Sequence, residues 1–190
     1  DNGSDNSGSD NTYGLTCNII NSTDVEIIAG TEKYTGDIVI PSQVIISGKT
    51  YNVTKIGERA FAWCSNLKNV YIPDSVTSIG NSAFCDCSSL TSINIPVGVT
   101  SIGNSAFYDC SSLTSIIIPD SVTSIGEDAF RNCYNLTEIL VDAANPNYSS
   151  ENGILYNKDK SQIIYIPQAN NATSITIPQA DTLIDVSELY

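Results

Sequence analysis

Apolar residues recur through the middle of the chain with a period of 23 residues. The isoleucine of the tripeptide Lys55-Ile56-Gly57 returns at Ile79, Ile102 and Ile125, each time within Ser-Ile-Gly. Three further columns keep the same step: Phe61, Phe84, Phe107 and Phe130; Cys64, Cys87, Cys110 and Cys133; Leu67, Leu90, Leu113 and Leu136. A fixed period of this length is typical of a repeat protein. The pattern therefore predicts four units in phase, at 51–73, 74–96, 97–119 and 120–142.

The second half of each unit has the pattern of a half-buried strand. In the second unit the segment 90–95 reads LTSINI, so that Ile93 and Ile95 alternate with polar Ser92 and Asn94. Such alternation places one face of a strand in a core. Pro96 then ends the strand, because proline has no N–H to donate.

The first half of each unit has a different spacing. Ala83, Phe84 and Cys87 form an adjacent pair followed by a residue three positions on, which is typical of a helical turn. One such coil cannot cover its own apolar face, but stacked coils can, with parallel strands about 4.8 Å apart. The predicted fold class is therefore an α/β solenoid with a narrow parallel β-sheet and short helical turns.

The run IPDSVTSIGNSAFCDCSSLTSINIP at 72–96 resembles the BspA-like leucine-rich repeat family, also called the Treponema-type repeat. The pattern V-x-x-I-G-x-x-A-F-x-x-C-x-x-L recurs in all four units. Residues 36–56 resemble the N-terminal cap of this family, a strand followed by a hairpin that turns at Ser47-Gly48. Residues 145–167 resemble its hairpin insertion, in which 153–156 and 163–166 would pair, and a half-repeat at 173–178 would follow.

The resemblance implies a leucine-rich-repeat domain over residues 13–190 with β-hairpin caps. Its parts would be an N-terminal cap at 13–50, the four repeats at 51–142, and the hairpin insertion with a C-terminal half-repeat at 143–190. Residues 1–12 read DNGSDNSGSDNT and contain no apolar side chain. Because nothing there can be buried, we expect a flexible tether.

Composition removes several classes of function. The chain has 8 Lys and Arg against 21 Asp and Glu, a net charge of −13, which would repel nucleic acid and anionic lipid. It has no histidine, the commonest general base and a frequent zinc ligand. No nucleophile motif, phosphate loop or paired C-x-x-C occurs. We therefore expect no enzymatic activity, no metal and no cofactor.

The cysteine column would point inward beside the phenylalanine column. In-register side chains on stacked strands point the same way, and their Cβ atoms lie farther apart than the roughly 3.8 Å that a disulfide prefers. We therefore predict that the four column cysteines are reduced, buried thiols that act as small apolar fillers. The pattern leaves Cys17 and Cys85 open.

The resemblance also implies a function at the bacterial cell surface, in adhesion and in binding host or matrix proteins. The expected protein is an extracellular, outer-membrane lipoprotein that meets the membrane only through an upstream lipid anchor. Its partner would be a protein on a host cell, in the matrix or on a neighbouring bacterium. Two alternatives remain open: a structural spacer that displays another domain, and a carbohydrate-binding protein, which would need exposed aromatic platforms although Trp63 is the sole tryptophan.

The candidate ligand site is the exposed face of the repeat sheet. Strand midpoints form an apolar row, and the positions two residues earlier form a polar row. The apolar row is Tyr71, Asn94, Ile117 and Leu140, and the polar row is Asn69, Ser92, Ser115 and Glu138. Exposed strand positions normally favour polar residues, so an apolar row beside a polar one indicates a protein-binding surface. Alternatively, these side chains serve cross-strand pairing, the cap hairpin covers them, or the site lies on the turns around Trp63 and Tyr108.

Overall fold

Each 23-residue repeat forms one coil of a solenoid, and each coil contributes two short parallel strands. The computed structural model describes residues 7–10, 14–173, 175–177 and 182–184. The first sheet contains the end of β6 and one two-residue strand from each following coil. Its strands are β6 (Lys49–Ile56), β8 (Ser78–Ile79), β10 (Ser101–Ile102) and β12 (Ser124–Ile125). They pair in parallel, with Ile79 opposite Ile56 and Ile102 opposite Ile79. The sequence pattern did not predict this sheet.

The second sheet is the predicted one. It contains β4 (Gly36–Val39), β7 (Leu67–Tyr71), β9 (Ser92–Ile93), β11 (Ser115–Ile118) and β13 (Glu138–Val141). Parallel pairing joins β4, β7 and β9 in one ladder and β11 and β13 in another. The amide of Thr114 donates to the carbonyl of Thr91 at 3.4 Å between the two ladders. The prediction of a narrow parallel sheet is confirmed.

The segments predicted to be helical turns are not helical, and the described residues contain no helix. We call the segment between the two strands of each coil its arc. In the arc of the second repeat, Ser82 and Asp86 have φ values of 52° and 59°, and the two matching positions are left-handed in every repeat. Left-handed residues cannot continue a right-handed helix. The hydrogen bonds also differ, because the amide of Phe84 donates to Ala106 of the next coil at 2.8 Å, whereas that of Ala83 donates to Gly80 within its own arc. The predicted helical turns are therefore wrong, although Ala83 and Phe84 both point inward.

The phenylalanine column forms the centre of the core. Phe61, Phe84, Phe107 and Phe130 are at most 1% exposed, and neighbouring rings stack with centroids 5.1, 5.4 and 5.8 Å apart and planes within 4°. Offset stacking at this separation is favourable for aromatic rings. A tilted tyrosine ends the column on each side, Tyr34 against Phe61 and Tyr165 against Phe130.

The N-terminal cap closes the first coil with antiparallel strands. β2 (Leu15–Ile19) and β3 (Asp24–Ile28) form a hairpin, and β3 pairs in parallel with β6. β5 (Gln43–Ile46) pairs antiparallel with β6 through a turn at Ser47 and Gly48, whose φ values are 53° and 78°. Two consecutive positive φ values are those of the type I′ turn that hairpins prefer, so the predicted hairpin is confirmed. Part of the predicted tether differs from expectation, because β1 (Ser7–Asp10) pairs with β2; the rest of the tether lies outside the described residues.

The C-terminal end of the solenoid is covered by a three-stranded antiparallel sheet. β15 (Ile154–Asn157) pairs with β16 (Ile163–Tyr165) as predicted, and β14 (Tyr148–Glu151) adds a third strand that the sequence did not indicate. The buried side chain of Asn145 connects this sheet to the last coils, because its Nδ2 donates hydrogen bonds to the carbonyls of Pro119 and Val122. Within the predicted half-repeat, β17 (Ile175–Ile177) pairs antiparallel with β18 (Thr182–Ile184). Residues 174 and 178 of that half-repeat lie outside the described residues. No helix in the described part of the chain is long and apolar enough to cross a membrane.

Candidate protein-binding face

The apolar row stands outward on the second sheet, as the strand alternation requires. Val70 is 5% exposed and Ile72 is 2% exposed, whereas Tyr71 between them is 59% exposed. Ile117 is 55% exposed between buried Ile116 and Ile118, and Leu140 is 41% exposed. Asn94 is also exposed. Parallel pairing sets Ile117 directly opposite Leu140, which places these side chains side by side.

The structure adds Val39 to the apolar row. Val39 lies opposite Tyr71 in the β4–β7 pair and is 62% exposed. The segments Ile38-Val39-Ile40-Pro41 and Val70-Tyr71-Ile72-Pro73 share one pattern, in which an outward residue lies between two aliphatic residues and a proline follows. This similarity was a usable signal, but the coil before the first full repeat lacks the Ala-Phe and Cys positions that define the period.

The polar row is linked by side-chain hydrogen bonds at its N-terminal end, where Asp37 also joins it. Asn69 donates from Nδ2 to Oδ1 of Asp37 at 2.7 Å, and Ser92 donates from Oγ to Oδ1 of Asn69 at 3.2 Å. Ser115 and Glu138 continue the row on β11 and β13 and are half-buried. The rows are therefore adjacent lines of apolar and polar side chains on strands whose backbones are fixed by the solenoid.

The C-terminal three-stranded sheet does not cover this face. Its hairpin of β14 and β15 bonds instead to the edge of β13. There the amide of Ile139 donates to the carbonyl of Gly153 at 2.8 Å, and the amide of Val141 donates to Oγ of Ser150 at 2.9 Å. Leu140 lies between these two bonds and keeps 41% of its surface exposed. The alternative in which the hairpin hides the apolar row is therefore wrong.

The aromatic residues on the arcs do not form a common platform. Trp63 is 53% exposed, and the ammonium of Lys33 lies 5.2 Å from the centroid of its ring. Tyr108 occupies a different position in its repeat, matching Cys85 rather than Asp86, and its hydroxyl accepts a hydrogen bond from Asn132 at 3.0 Å. A sugar-binding site would need such rings to face one ligand together, and these two rings occupy different columns.

The thiols are arranged for structure rather than for nucleophilic chemistry. The four column cysteines are unbridged and buried, as predicted. Burial raises the pKa of Cys133 to about 12, and burial together with neighbouring Asp86 raises the pKa of the unbridged Cys85 to about 12. A reactive cysteine needs a lowered pKa. Within the described residues, no three His, Cys, Asp or Glu side chains converge on a point where a metal ion could bind.

The repeat pattern is matched by a known family model, the BspA type leucine rich repeat region. The match covers residues 54–177 and contains six copies. It extends past the four predicted repeats and across the C-terminal hairpin. A comparison with curated proteins found no match.

Solved structures of bacterial proteins have the same fold. A leucine-rich repeat protein from Bacteroides capillosus ATCC 29799 is similar with a TM-score of 0.62 and 28% identity, over 73% of this chain and 99% of that one. A leucine-rich repeat protein from Eubacterium ventriosum ATCC 27560 is similar with a TM-score of 0.58 and 28% identity, over 84% of this chain and 50% of that one. A leucine rich cell surface protein from Faecalibacterium prausnitzii A2-165 is 24% identical, with a TM-score of 0.50 over 90% of this chain and 64% of that one. The chain thus spans about two thirds or less of two of these proteins: 64% of the one from Faecalibacterium prausnitzii and 50% of the one from Eubacterium ventriosum.

Proposed function

Because the chain belongs to the BspA-type leucine-rich repeat family, we propose that it is a non-catalytic recognition module that binds a protein ligand through the exposed face of its second sheet. One observation carries the proposal: Val39, Tyr71, Ile117 and Leu140 are 41% to 62% exposed in one row beside a polar row. A row of exposed apolar side chains bordered by polar groups is typical of a protein-binding site.

The solenoid also suits this role mechanically. The backbone of each strand is held by hydrogen bonds to its neighbours, so the rows lose little conformational entropy when a partner binds. Cross-strand pairing explains the preference for β-branched and aromatic residues at these positions. Asn94 occupies the same row between Tyr71 and Ile117, so the fold also accepts a polar residue at this position. Because the fold does not require apolar side chains in this row, those at the other positions are available for recognition.

We place the module at the bacterial cell surface, held through an upstream lipid anchor. The partner would be a protein on a host cell, in the matrix or on a neighbouring bacterium. The description of the Faecalibacterium prausnitzii protein as a cell surface protein supports this location. The net charge of −13 disfavours nucleic acid as a partner.

The test replaces two apolar residues of the row by the residue that the repeat already tolerates there. Tyr71→Asn with Ile117→Asn copies Asn94. Binding is measured on an array of immobilised host proteins, matrix proteins and glycans, first with the wild type to find a ligand. We expect the double variant to lose binding to a protein ligand while its thermal unfolding midpoint stays close to that of the wild type.

The matched control is Tyr134→Ser. Tyr134 is 55% exposed but lies outside the rows, and the equivalent residues Ser65, Ser88 and Ser111 show that the repeat accepts serine there. This variant should bind as the wild type does. Protein binding that survives the double asparagine variant would move the site elsewhere. Binding to a glycan alone would support a carbohydrate-binding function, and binding to nothing on the array would support a structural spacer.

A further inference from the structure

The polar row has a carboxylate at each end. Asp37 lies on β4, the first strand of the second sheet, and Glu138 lies on β13, the last strand. The three residues between them, Asn69, Ser92 and Ser115, are neutral. Four coil steps of about 4.8 Å separate the two acids, so their Cα atoms lie about 19 Å apart.

Neither carboxylate forms a salt bridge with a basic side chain in the part of the chain that the structure describes. The salt bridges among the described residues involve Glu58, Asp128 and Glu151, and none includes Asp37 or Glu138. Asp37 is exposed and, among the described residues, its side chain accepts a hydrogen bond only from the neutral amide of Asn69, while Glu138 is half-buried. Ionised carboxylates beside an apolar row favour a cationic ligand group on the partner.

The surroundings of the rows are acidic as well. The five strands of the second sheet contain a single basic residue, Lys68. The turns that follow β7, β11 and β13 add exposed Asp74, Asp120 and Asp142. The five strands and these turns therefore have five acids against Lys68, and Lys158 adds a second positive charge where its ammonium donates to the carbonyl of Ala143 at 3.0 Å, in a chain whose net charge is −13.

The charge distribution disfavours a second copy of the chain as the occupant. Two copies that meet face to face across a two-fold axis parallel to the strands have their rows reversed, so that the first strand of one copy faces the last strand of the other. Asp37 of one copy would then lie near Glu138 of the other, at both ends of the interface. Like charges opposed in this way weaken association.

We infer that the partner presents an extended segment in which β-branched or aromatic residues are flanked by two basic residues about six positions apart. This inference rests on the proposed function of the second sheet. An extended strand rises about 3.3 Å per residue, so six residues span the 19 Å between the carboxylates. The apolar side chains of the segment lie along Val39, Tyr71, Ile117 and Leu140, and its basic ends pair with Asp37 and Glu138.

The experiment selects a display library of random 12-residue peptides against the wild-type protein. The affinity of enriched peptides is then measured by fluorescence anisotropy for the wild type and for Asp37→Asn with Glu138→Ser. These substitutions copy Asn69 and Ser115, which occupy the same row. The expected peptides have paired Lys or Arg residues at the stated spacing. Removing both carboxylates, at about two- to fivefold each, should weaken their binding about four- to 25-fold, and the effect should fade as salt is raised.

The control is Glu58→Asn with Glu127→Asn, which removes the same amount of charge elsewhere. Both positions match Asn81 and Asn104 in the central repeats, so the fold should tolerate them, and peptide affinity should stay within about twofold of the wild type. Thermal unfolding of all variants checks that each is folded.

Four outcomes would overturn the inference. Enriched peptides that lose affinity for Tyr71→Asn with Ile117→Asn but lack paired basic residues would leave the proposed site in place and remove its charge preference. Peptides that bind that variant as well as the wild type, or a selection without enrichment, would reject the site itself. A dimer seen by light scattering and abolished by the same variant would make a second copy the occupant.

Discussion

The thiol of Cys110 donates a hydrogen bond of 3.1 Å to the main-chain carbonyl of Phe84, which lies one coil earlier. Cys87 and Cys133 make the same bond at 3.1 Å to Phe61 and Phe107. Each of these carbonyls also accepts the amide of the cysteine three residues after it. The cysteine column is therefore a ladder of thiol donors that connects successive coils, in addition to filling the core.

Replacing Cys110 by alanine should destabilise the protein by about 1–3 kcal/mol, because it removes a buried donor and leaves a small cavity. Cys110→Ser keeps a donor at the same place and should cost less than Cys110→Ala. Denaturant unfolding measures both changes. If serine is as destabilising as alanine or more so, the thiol acts only through its volume and the hydrogen bond contributes nothing.

Stability should fall at alkaline pH because of these thiols. Burial raises the pKa of Cys133 to about 12 in the folded protein, whereas an unfolded cysteine ionises near its ordinary pKa of 9.0. The unfolded state therefore loses a proton first, and the contribution of the protonated thiol is complete below pH 9 and is lost as the pH rises toward 12. In that window one such thiol lowers the free energy of unfolding by about 1.4 kcal/mol per pH unit.

The comparison of wild type with Cys133→Ala isolates this effect from tyrosine and lysine titration. The free energy of unfolding of the variant should decline less steeply above pH 9, by roughly the slope of one group. Chemical unfolding at pH 8, 9 and 10 is sufficient to measure it. Parallel pH profiles for the two proteins would mean that Cys133 ionises equally easily in both states.

The sequence predicted the features that repeat most strictly. Columns such as those of Phe107 and Cys110 keep a constant step, and a constant step in a solenoid can only arise from stacking. The same phase predicts that Ile117 lies opposite Leu140, as the β11–β13 pair has it. The apolar row was therefore predictable, because strand alternation leaves one choice of outward residue once Ile116 and Ile118 are assigned to the core.

Other features were not predictable from spacing. The strand at Ser78–Ile79 is only two residues long, too short for an alternating pattern to appear. The arc at Ala83 and Phe84 has the spacing of a helical turn, but the sequence does not reveal the sign of φ at Ser82. Apolar spacing reports which side chains face inward, and two different backbones can present the same three inward residues.

Truncating one ring of the phenylalanine column should unravel the solenoid locally. Phe107 is fully buried between Phe84 and Phe130, so Phe107→Ala should cost about 3–5 kcal/mol. Because each coil contacts only its neighbours, the loss should concentrate in the coils around Phe107. Hydrogen exchange followed by mass spectrometry measures this distribution. An equal loss of protection in every repeat and in both caps would contradict nearest-neighbour coupling.

A methyl group at Gly103 should be more damaging than its size suggests. Gly57, Gly80, Gly103 and Gly126 follow the strands of the first sheet, and at Gly103 an added Cβ would lie 2.6 Å from the amide nitrogen of Asn81 and from the carbonyl carbon of Gly80. Both atoms belong to the backbone of the preceding coil, which cannot move without separating the coils. We therefore expect Gly103→Ala to cost about 1–3 kcal/mol by overpacking, although φ at this glycine is not positive.

Gly48→Ala is the control, because that site has open space and a φ of 78°. Its cost of about 1–2 kcal/mol therefore comes from conformation alone. The two should differ in hydrogen exchange: Gly103→Ala should raise exchange in both adjoining coils, and Gly48→Ala only in the β5–β6 hairpin. If Gly103→Ala leaves the adjoining coils protected, close approach at the glycine column does not set the spacing of the solenoid.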